Sequence, residues 1–392
     1  MKILVFVKTF ANPTLTFIYN EVTELAQQHQ VRVVTCEQKN ADLFPFEDVV
    51  EIPFETNPRL AKIRYKIQTL DIELGFKKRS FKKRLQKEVE AFRPDVIHTH
   101  FGWESWLFLL NFSRTDIPVF ISFHGFDASH KLRSDRYRKT LKTILQRPNI
   151  HPIFVSNFMQ KQVEVSLDVV ITKARILYYG TDTDFFKRQN YDYPRNPVTF
   201  LQVSSFAPKK GHEFTIRAFA QLLQRLEKSD FYQPSAAEPP LPPLLILAGD
   251  GPLRSAMIQL AEELGVSDSV KFPGLVNRQQ AKALMERSHV FVHHSVTSKP
   301  VGDMEGIPNA LMEAMAMEMP VLSTIHSGIP ELIEDGVNGF LVAEEDITAY
   351  AQRLYEVLKW PYLPHNRAKI MAQFEKQQHA RQLVEYYTNP QS

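Results

Sequence analysis

The sequence predicts an α/β protein built as two doubly wound domains, each a parallel sheet with helices on both faces. Three observations lead there. Short apolar runs of strand length alternate with amphipathic helical stretches, the pattern of crossover connections and sheets buried on both sides. The alternation comes in two consecutive series of similar size, separated at Tyr193-Pro194-Arg195-Asn196-Pro197. The length of 392 residues also exceeds what one hydrophobic core usually organises.

The first series opens with the apolar run 1–7, a loop holding Asn12, Pro13 and Thr14, and a helix-compatible stretch over 16–28. Further strands are predicted at 31–36, 95–100, 118–124 and 175–180, most of them closing on polar or glycine-containing turns. The second series has strands at 198–205, 244–248, 270–272, 289–293 and 320–323. Phe214, Ala218, Phe219, Leu222 and Leu223 line one stripe of a helix between the first two of these. Leu253, Met257, Leu260, Ala261 and Leu264 repeat at helical spacing after the second. Residues 231–243 carry five prolines and read as an irregular surface insertion. The expected division is 1–190, 191–365, and a helical tail, 366–392, packing back on the first domain.

Composition narrows the function classes. The apolar share of 44% and charged share of 23% are those of a globular chain, and a formal charge of +3 does not argue for nucleic acid. Cys36 is the only cysteine, so neither an intrachain disulfide nor a cysteine zinc site can form. The N-terminal run is too short for a signal peptide, and nowhere do eighteen apolar residues run together. A cytoplasmic protein is expected.

In open α/β sheets, ligands sit beyond the carboxyl ends of the strands. That rule selects 8–16, 98–103, 124–127, 204–211, 249–254 and 296–309, and two such edges brought together would form one interdomain cleft. The most informative segment is Gly302-Asp-Met-Glu-Gly-Ile-Pro-Asn-Ala-Leu-Met-Glu-Ala-Met-Ala316. A helix should start near Pro308, because proline suits a first turn whose N–H groups have no partner anyway. The N–H groups of Asn309, Ala310 and Leu311 would then offer an anion site fit for a diphosphate. Glu305 lies before that helix and Glu313 more than a turn inside it, so one carboxylate reaches a sugar and the other a ribose. The plainer alternative is a solvated helix with two unrelated glutamates.

Glu305-x7-Glu313 in this setting resembles the signature of glycosyltransferase family 4. Phe206-Ala-Pro-Lys-Lys-Gly-His212, Ala248-Gly-Asp-Gly-Pro-Leu-Arg254, Val270-Lys-Phe-Pro-Gly-Leu-Val276 and Ser327-Gly-Ile-Pro-Glu331 follow the family's order. Tyr179-Gly-Thr-Asp-Thr-Asp-Phe-Phe186 is similar to its segment closing the first domain. The likeness spans nearly the whole chain, is densest over 198–345, and leans to the bacterial exopolysaccharide, colanic-acid-type branch.

The resemblance implies the GT-B fold, two Rossmann-like domains facing a cleft, and retaining, metal-independent transfer from a nucleoside diphosphate sugar. Lys210 matches the lysine that neutralises the diphosphate, Glu313 the ribose glutamate, and Glu305, with Gly306 beside it, the glutamate near the donor sugar. Leu275 and Val276 match the turn edging the nucleobase. Ser205 stands where an arginine is usual, leaving Lys209 or a residue of the other domain to complete the phosphate clamp. Gly249 is either a donor contact or a structural turn. His124, in Ser-Phe-His-Gly-Phe-Asp, matches the family's cleft histidine. Asn12-Pro-Thr-Leu-Thr16 replaces the commoner adjacent glycines, and Thr14 is expected on the acceptor side.

His98 and His100 share one strand face, as a metal pair would, yet no third ligand is evident in the sequence; His100 is instead expected toward the acceptor. Trp103 is expected to stack on a sugar or, with Trp106, to pack in the next helix. Residues 76–87 hold seven Lys or Arg with Phe76, Phe81 and Leu85 interleaved, and 131–147 hold seven more. These are solvated helix faces or a surface docking onto anionic lipid.

The expected activity is therefore a hexosyltransferase using a UDP-sugar, or alternatively a GDP-sugar. It acts on a glycan or lipid-linked acceptor in cell-surface polysaccharide synthesis, peripheral to the inner face of the plasma membrane, with no cofactor, metal or nucleic acid. The alternatives are a sugar-nucleotide epimerase of the same architecture, and a nucleic-acid-binding module.

Overall fold

A computed structural model describes residues 1–12, 15–53, 79–112, 114, 116–228, 241–299 and 301–390. The chain divides into two compact units, Met1–Gly180 with Lys376–Ser392, and Thr181–Glu375.

Among the described residues the first unit holds a parallel sheet of order β3-β2-β1-β4-β5-β6-β7. Its strands are β1 (Lys2–Phe10), β2 (Gln30–Gln38), β3 (Val49–Glu51), β4 (Val96–His100), β5 (Val119–Phe123), β6 (Ile150–Phe154) and β7 (Arg175–Ile176). Central strands read as continuous apolar runs because both of their faces are covered; all five residues of β4 and of β5 are buried. The helices Thr16–Leu25 and Lys376–Thr388 seal one face, with Ile18, Val22, Leu383 and Tyr387 packed against Val5, Val33, Val96 and Phe120. The last helix thus packs in the first unit.

The second unit has the order β10-β9-β8-β11-β12-β13, again all parallel. Its strands are β8 (Thr199–Val203), β9 (Leu244–Ala248), β10 (Val270–Gly274), β11 (Val290–His293), β12 (Val321–Thr324) and β13 (Gly339–Val342). The stripes read from the sequence bury as expected: Ala218, Phe219 and Leu222 in the helix His212–Glu227, and Met257, Leu260 and Ala261 in the helix Arg254–Glu263. Two open parallel sheets, each with its own core, make this the GT-B architecture.

The structure moves both unit boundaries by ten residues, from 190 to Gly180 and from 365 to Glu375. Arg188 explains the first shift. It is 3% exposed and donates to the carbonyls of Met285 (2.8 Å), Glu286 (2.9 Å) and Met317 (3.0 Å), all in the second unit. Asp182 likewise pairs with Arg278 at 2.7 Å. The polar linker read at 193–197 is therefore already inside the second unit. At the other end the helix Pro364–Gln373 stays with the second unit, where Arg367 donates to the carbonyls of Thr183, Phe186 and Ala316.

A second correction concerns the helix Arg79–Phe92. Phe81, Leu85 and Val89 are at most 1% exposed, so its apolar stripe faces the protein and offers nothing to a lipid interface. Phe76, Lys77 and Lys78 lie outside the described residues, as do Thr14 and most of the proline-rich stretch, 231–240.

Candidate active site

In the second unit the sheet order reverses direction between β8 and β11, so loops leaving these neighbours part to opposite sides and open a crevice at their carboxyl ends. Lys210 follows β8 and Glu305 follows β11, and the two form an ion pair. Gly211 makes the approach possible: its φ is +59°, and a Cβ there would lie 1.8 Å from the His294 carbonyl oxygen. Val296 N–H also donates to the Lys209 carbonyl at 3.0 Å, tying the lysine loop to the chain after β11.

The Glu305 carboxylate is buried and densely partnered. Oε2 receives Lys210, while Oε1 accepts from Ser295 Oγ and from His293 Nε2 at 3.1 Å. Burial alone pushes the carboxyl upward, but Lys210, His293 and Lys209 hold it well below the usual range. Lys209 pairs with Asp303 at 2.9 Å, so both lysines of the loop are matched to acids of 302–305.

The helix Asn309–Ala316 starts where expected, with Pro308 as its N-cap. Leu311 N–H turns back to the Pro308 carbonyl at 3.0 Å, which removes it from the predicted anion site. The N–H groups of Asn309 and Ala310 have no partner among the described residues, and Asn309 Oδ1 is buried and unpaired. Gly306 is buried beside Glu305. Glu313 is half-buried on this helix and makes no side-chain hydrogen bond among the described residues. Burial raises its carboxyl to about 7; Arg278 opposes the rise and Asp182 adds to it.

The remaining donor-side residues gather at the same edge. Ser205 is exposed after β8, Leu275 is 80% exposed after β10, and Val276 is half-buried next to it. Gly249 has a structural reason to be glycine, since a Cβ would sit 1.9 Å from the Ser204 carbonyl oxygen, and its N–H donates to the Gly274 carbonyl.

The first unit has its own switch point, between β1 and β4. Here the structure supplies the third group that the sequence did not reveal beside His98 and His100. Glu21 Oε1 lies 3.1 Å from His98 Nδ1 and 3.3 Å from His100 Nε2. These three ligand-type atoms lie within 4.8 Å of one another, as metal ligands would. The other carboxylate oxygen, Oε2, lies 2.9 Å from His379 Nε2, and His379 Nδ1 lies 2.7 Å from the Tyr178 carbonyl oxygen. Burial again favours a neutral carboxyl, yet His98 and His100 help to hold Glu21 well below the usual range.

His100 has no exposed surface and hydrogen-bonds His124, Nδ1 to Nε2 at 3.1 Å; His124 Nδ1 in turn meets Tyr179 Oη at 3.0 Å. Both His124 nitrogens are thus engaged within the unit, and Phe17 and Phe101 pack against its ring. Burial first, then His100, holds His124 well below its ordinary value, so it is neutral. Asp127 fixes this edge by accepting from the N–H groups of Gly102 (2.7 Å) and His124 (2.9 Å). Trp103 is half-buried, with the ammonium groups of Lys8 and Lys131 4.7 and 5.3 Å from its ring centre.

Sequence reasoning missed His293, Ser295, His326 and Glu344 around Glu305, and Glu21, Tyr179 and His379 around His124. The dipeptide His293-His294 at a strand's carboxyl end was a usable signal; the others come from distant elements and leave no local pattern.

Residues 15–185 match the family Glycosyltransferase Family 4, and residues 184–377 match Glycosyl transferases group 1. WcaL of Salmonella typhimurium, a glycosyltransferase assigned to colanic acid biosynthesis, is 27% identical over 98% of each chain. The amylovoran biosynthesis glycosyltransferase AmsK of Erwinia amylovora is 28% identical over 76% of this chain and 70% of its own. Among solved structures, Anabaena Alr3699/HepE in complex with UDP and glucose superposes with a TM-score of 0.73 at 18% identity, covering 99% of this chain and 100% of that one. With consecutive matches running through both units and full-length likeness to such enzymes, the chain belongs to glycosyltransferase family 4.

Proposed function

We propose that this glycosyltransferase is a retaining, metal-independent hexosyltransferase of cell-surface polysaccharide synthesis, drawing on a UDP-sugar and acting on a glycan or lipid-linked acceptor. The relatives named for colanic acid and amylovoran biosynthesis support the pathway class, and the UDP and glucose bound by HepE support the donor class. A GDP-sugar is the second donor choice.

The carrying observation is the Lys210–Glu305 pair at the switch point, beside the open N–H groups of Asn309 and Ala310. Glu305 serves as the resident counter-ion of Lys210. An arriving diphosphate takes over the lysine and the helix N-terminus, which favours negative charge. Glu305 Oε2 is then free to accept from a hydroxyl of the donor sugar, while His293 and Ser295 keep the carboxylate in place. Glu313 accepts from ribose hydroxyls. Ser205, Gly249, Leu275, Val276 and Gly306 line the donor edge. As the glycosidic bond breaks, charge grows on the diphosphate and Lys210 stabilises it, the kind of preorganised contact that speeds the step. The acceptor attacks from the face the leaving group vacates, and the departing phosphate takes the acceptor's proton.

Within the first unit, His124 is assigned a hydrogen bond to a sugar hydroxyl, which would take the place of Tyr179 Oη at Nδ1. His100 acts behind His124, and Trp103 is assigned to the acceptor. No helix among the described residues is long and apolar enough to cross a membrane; a cytoplasmic enzyme visiting the inner leaflet fits a lipid-linked acceptor.

Thermal-shift screening against UDP-, GDP- and ADP-sugars, with and without EDTA, tests the reading. Stabilisation by a UDP-hexose that survives EDTA is expected. A response only with added Mn²⁺ would overturn the charge assignment.

A further inference from the structure

The loop carrying Glu305 is held from behind by two residues that the proposed chemistry does not use. His326 follows β12 and has no exposed surface. Its Nε2 accepts the main-chain N–H of Glu305 at 3.3 Å. An amide N–H can only donate, so Nε2 carries the lone pair and Nδ1 carries the proton. That proton is directed at Glu344 Oε1, 2.6 Å away.

Glu344, just beyond β13, is fixed in turn: Oε2 accepts Thr297 N–H at 2.7 Å. Burial pushes the Glu344 carboxyl up, but the bonds from His326 and Thr297 outweigh it and hold it below the usual range. The tautomer of His326 is therefore set by groups at both ends. A carboxylate orienting a histidine is a familiar way to fix a ring for its next partner; here that partner is a peptide group. Glu305 is gripped twice, by its amide through His326 and by its carboxylate through His293 and Ser295.

We infer that His326 and Glu344 form a positioning dyad for Glu305, fixing the direction from which its carboxylate meets the donor sugar. This rests on the reading of Glu305 as a donor-sugar residue. The nucleotide half of the donor is held by the separate helix Asn309–Ala316, so loss of the dyad affects the sugar and spares the nucleotide. A misplacement of about 1 Å at a reacting group costs about a hundredfold in rate.

The test uses His326→Ala, His326→Gln and Glu305→Gln in the full chain. The probes are the nucleotide sugar selected by the thermal-shift screen and its parent nucleoside diphosphate. For His326→Ala, kcat should fall ten- to a hundredfold with nucleoside diphosphate affinity within about twofold of the parent. His326→Gln, whose amide offers an acceptor and a donor, should recover several-fold of that loss. If Glu305→Gln is impaired while His326→Ala turns over normally, the dyad is overturned and the site reading stands. If Glu305→Gln itself is unimpaired, the site reading fails and the dyad with it. Equal loss of kcat and nucleotide affinity in His326→Ala, without recovery by Gln, would mean general damage and also overturns the positioning role.

Discussion

The two units carry the same sheet device and put opposite chemistry on it. Each has a buried glutamate near its switch point, Glu21 in the first and Glu305 in the second, and each is held ionised against the cost of burial. Glu305 is held chiefly by Lys210, whose side chain is 17% exposed. Glu21 is held by His98, His100 and His379, of which the first two have no exposed surface. An exposed partner can exchange its carboxylate for a ligand; a sealed set cannot. Topology fixes where a site can form, and the exposure of the counter-charge decides whether that place acts or merely holds.

The sharpest way to break this contrast is to remove each glutamate's support and ask whether stability or turnover suffers. Glu21→Ala removes the buried carboxylate that His98, His100 and His379 all face. Removing one member of such a set typically costs about 3–5 kcal/mol. Urea unfolding should show a loss of that size in the first unit, with nucleotide affinity in the second unit unchanged. A stability loss below about 1 kcal/mol would mean that the cluster is looser than the hydrogen bonds suggest. Lys210→Ala should do the reverse, lowering turnover by roughly two to three powers of ten with a much smaller change in stability. Near-parental kcat would remove Lys210 from the mechanism.

Glu313 sharpens the comparison because it lacks a dedicated partner. Its carboxyl is raised to about 7, above the ordinary 4.5 that the unfolded chain would show. Between those values the native state binds the extra proton, so this contribution is full below about pH 4.5 and is lost as pH rises through about 7. Glu313→Gln should therefore stabilise the ligand-free protein at pH 8, by about 1 kcal/mol after allowing for partial exposure. That is about 2–4 °C in Tm for a unit of this size. The same change should weaken nucleotide binding. Loss of both stability and binding would show that Glu313 has a structural partner at neutral pH.

The parts that could be read from the sequence are those whose causes are local. Strand ends, the stripe Ala218, Phe219 and Leu222, and the helix start after Pro308 each depend on neighbours within a few residues. Glu305 and Glu313 were legible because one loop and one helix carry both. β6 was missed because Pro152 interrupts an apolar run; the short β7 pairs only with Ile153 and Phe154. β3 and β13 are short strands at the sheet edges, of three and four residues. Glu21 lies far from His98 in sequence, and Glu344 from Glu305, so only folding brings them together. Unit boundaries failed for a related reason: a lone arginine, Arg188, carries its segment into the second unit through main-chain carbonyls that have no sequence signature.

The smallest expected effect concerns the basic helices of the first unit, where the sequence allowed both a solvated face and a lipid surface. An amphipathic pattern cannot tell a core from a bilayer, since both accept the same apolar stripe. The structure settles that half, because Phe81 and Leu85 are spent on the protein's own core. What remains outward is charge: Lys83, Arg84 and Lys87 on one helix, and Arg133, Arg136 and Lys139 at and near the start of another, all exposed. Docking to an anionic leaflet must then be electrostatic, worth about 1 kcal/mol per basic residue at most and screened within about a Debye length. Lys83→Glu with Lys87→Glu should weaken co-sedimentation with phosphatidylserine vesicles at low salt, and the parent itself should release as salt rises. Nucleotide affinity, carried by the other unit, should not move. Parental binding that persists in high salt would point to an apolar contact elsewhere. A reversed variant that sediments as well as the parent would make these residues a solvated face and leave a soluble glycan as the better acceptor.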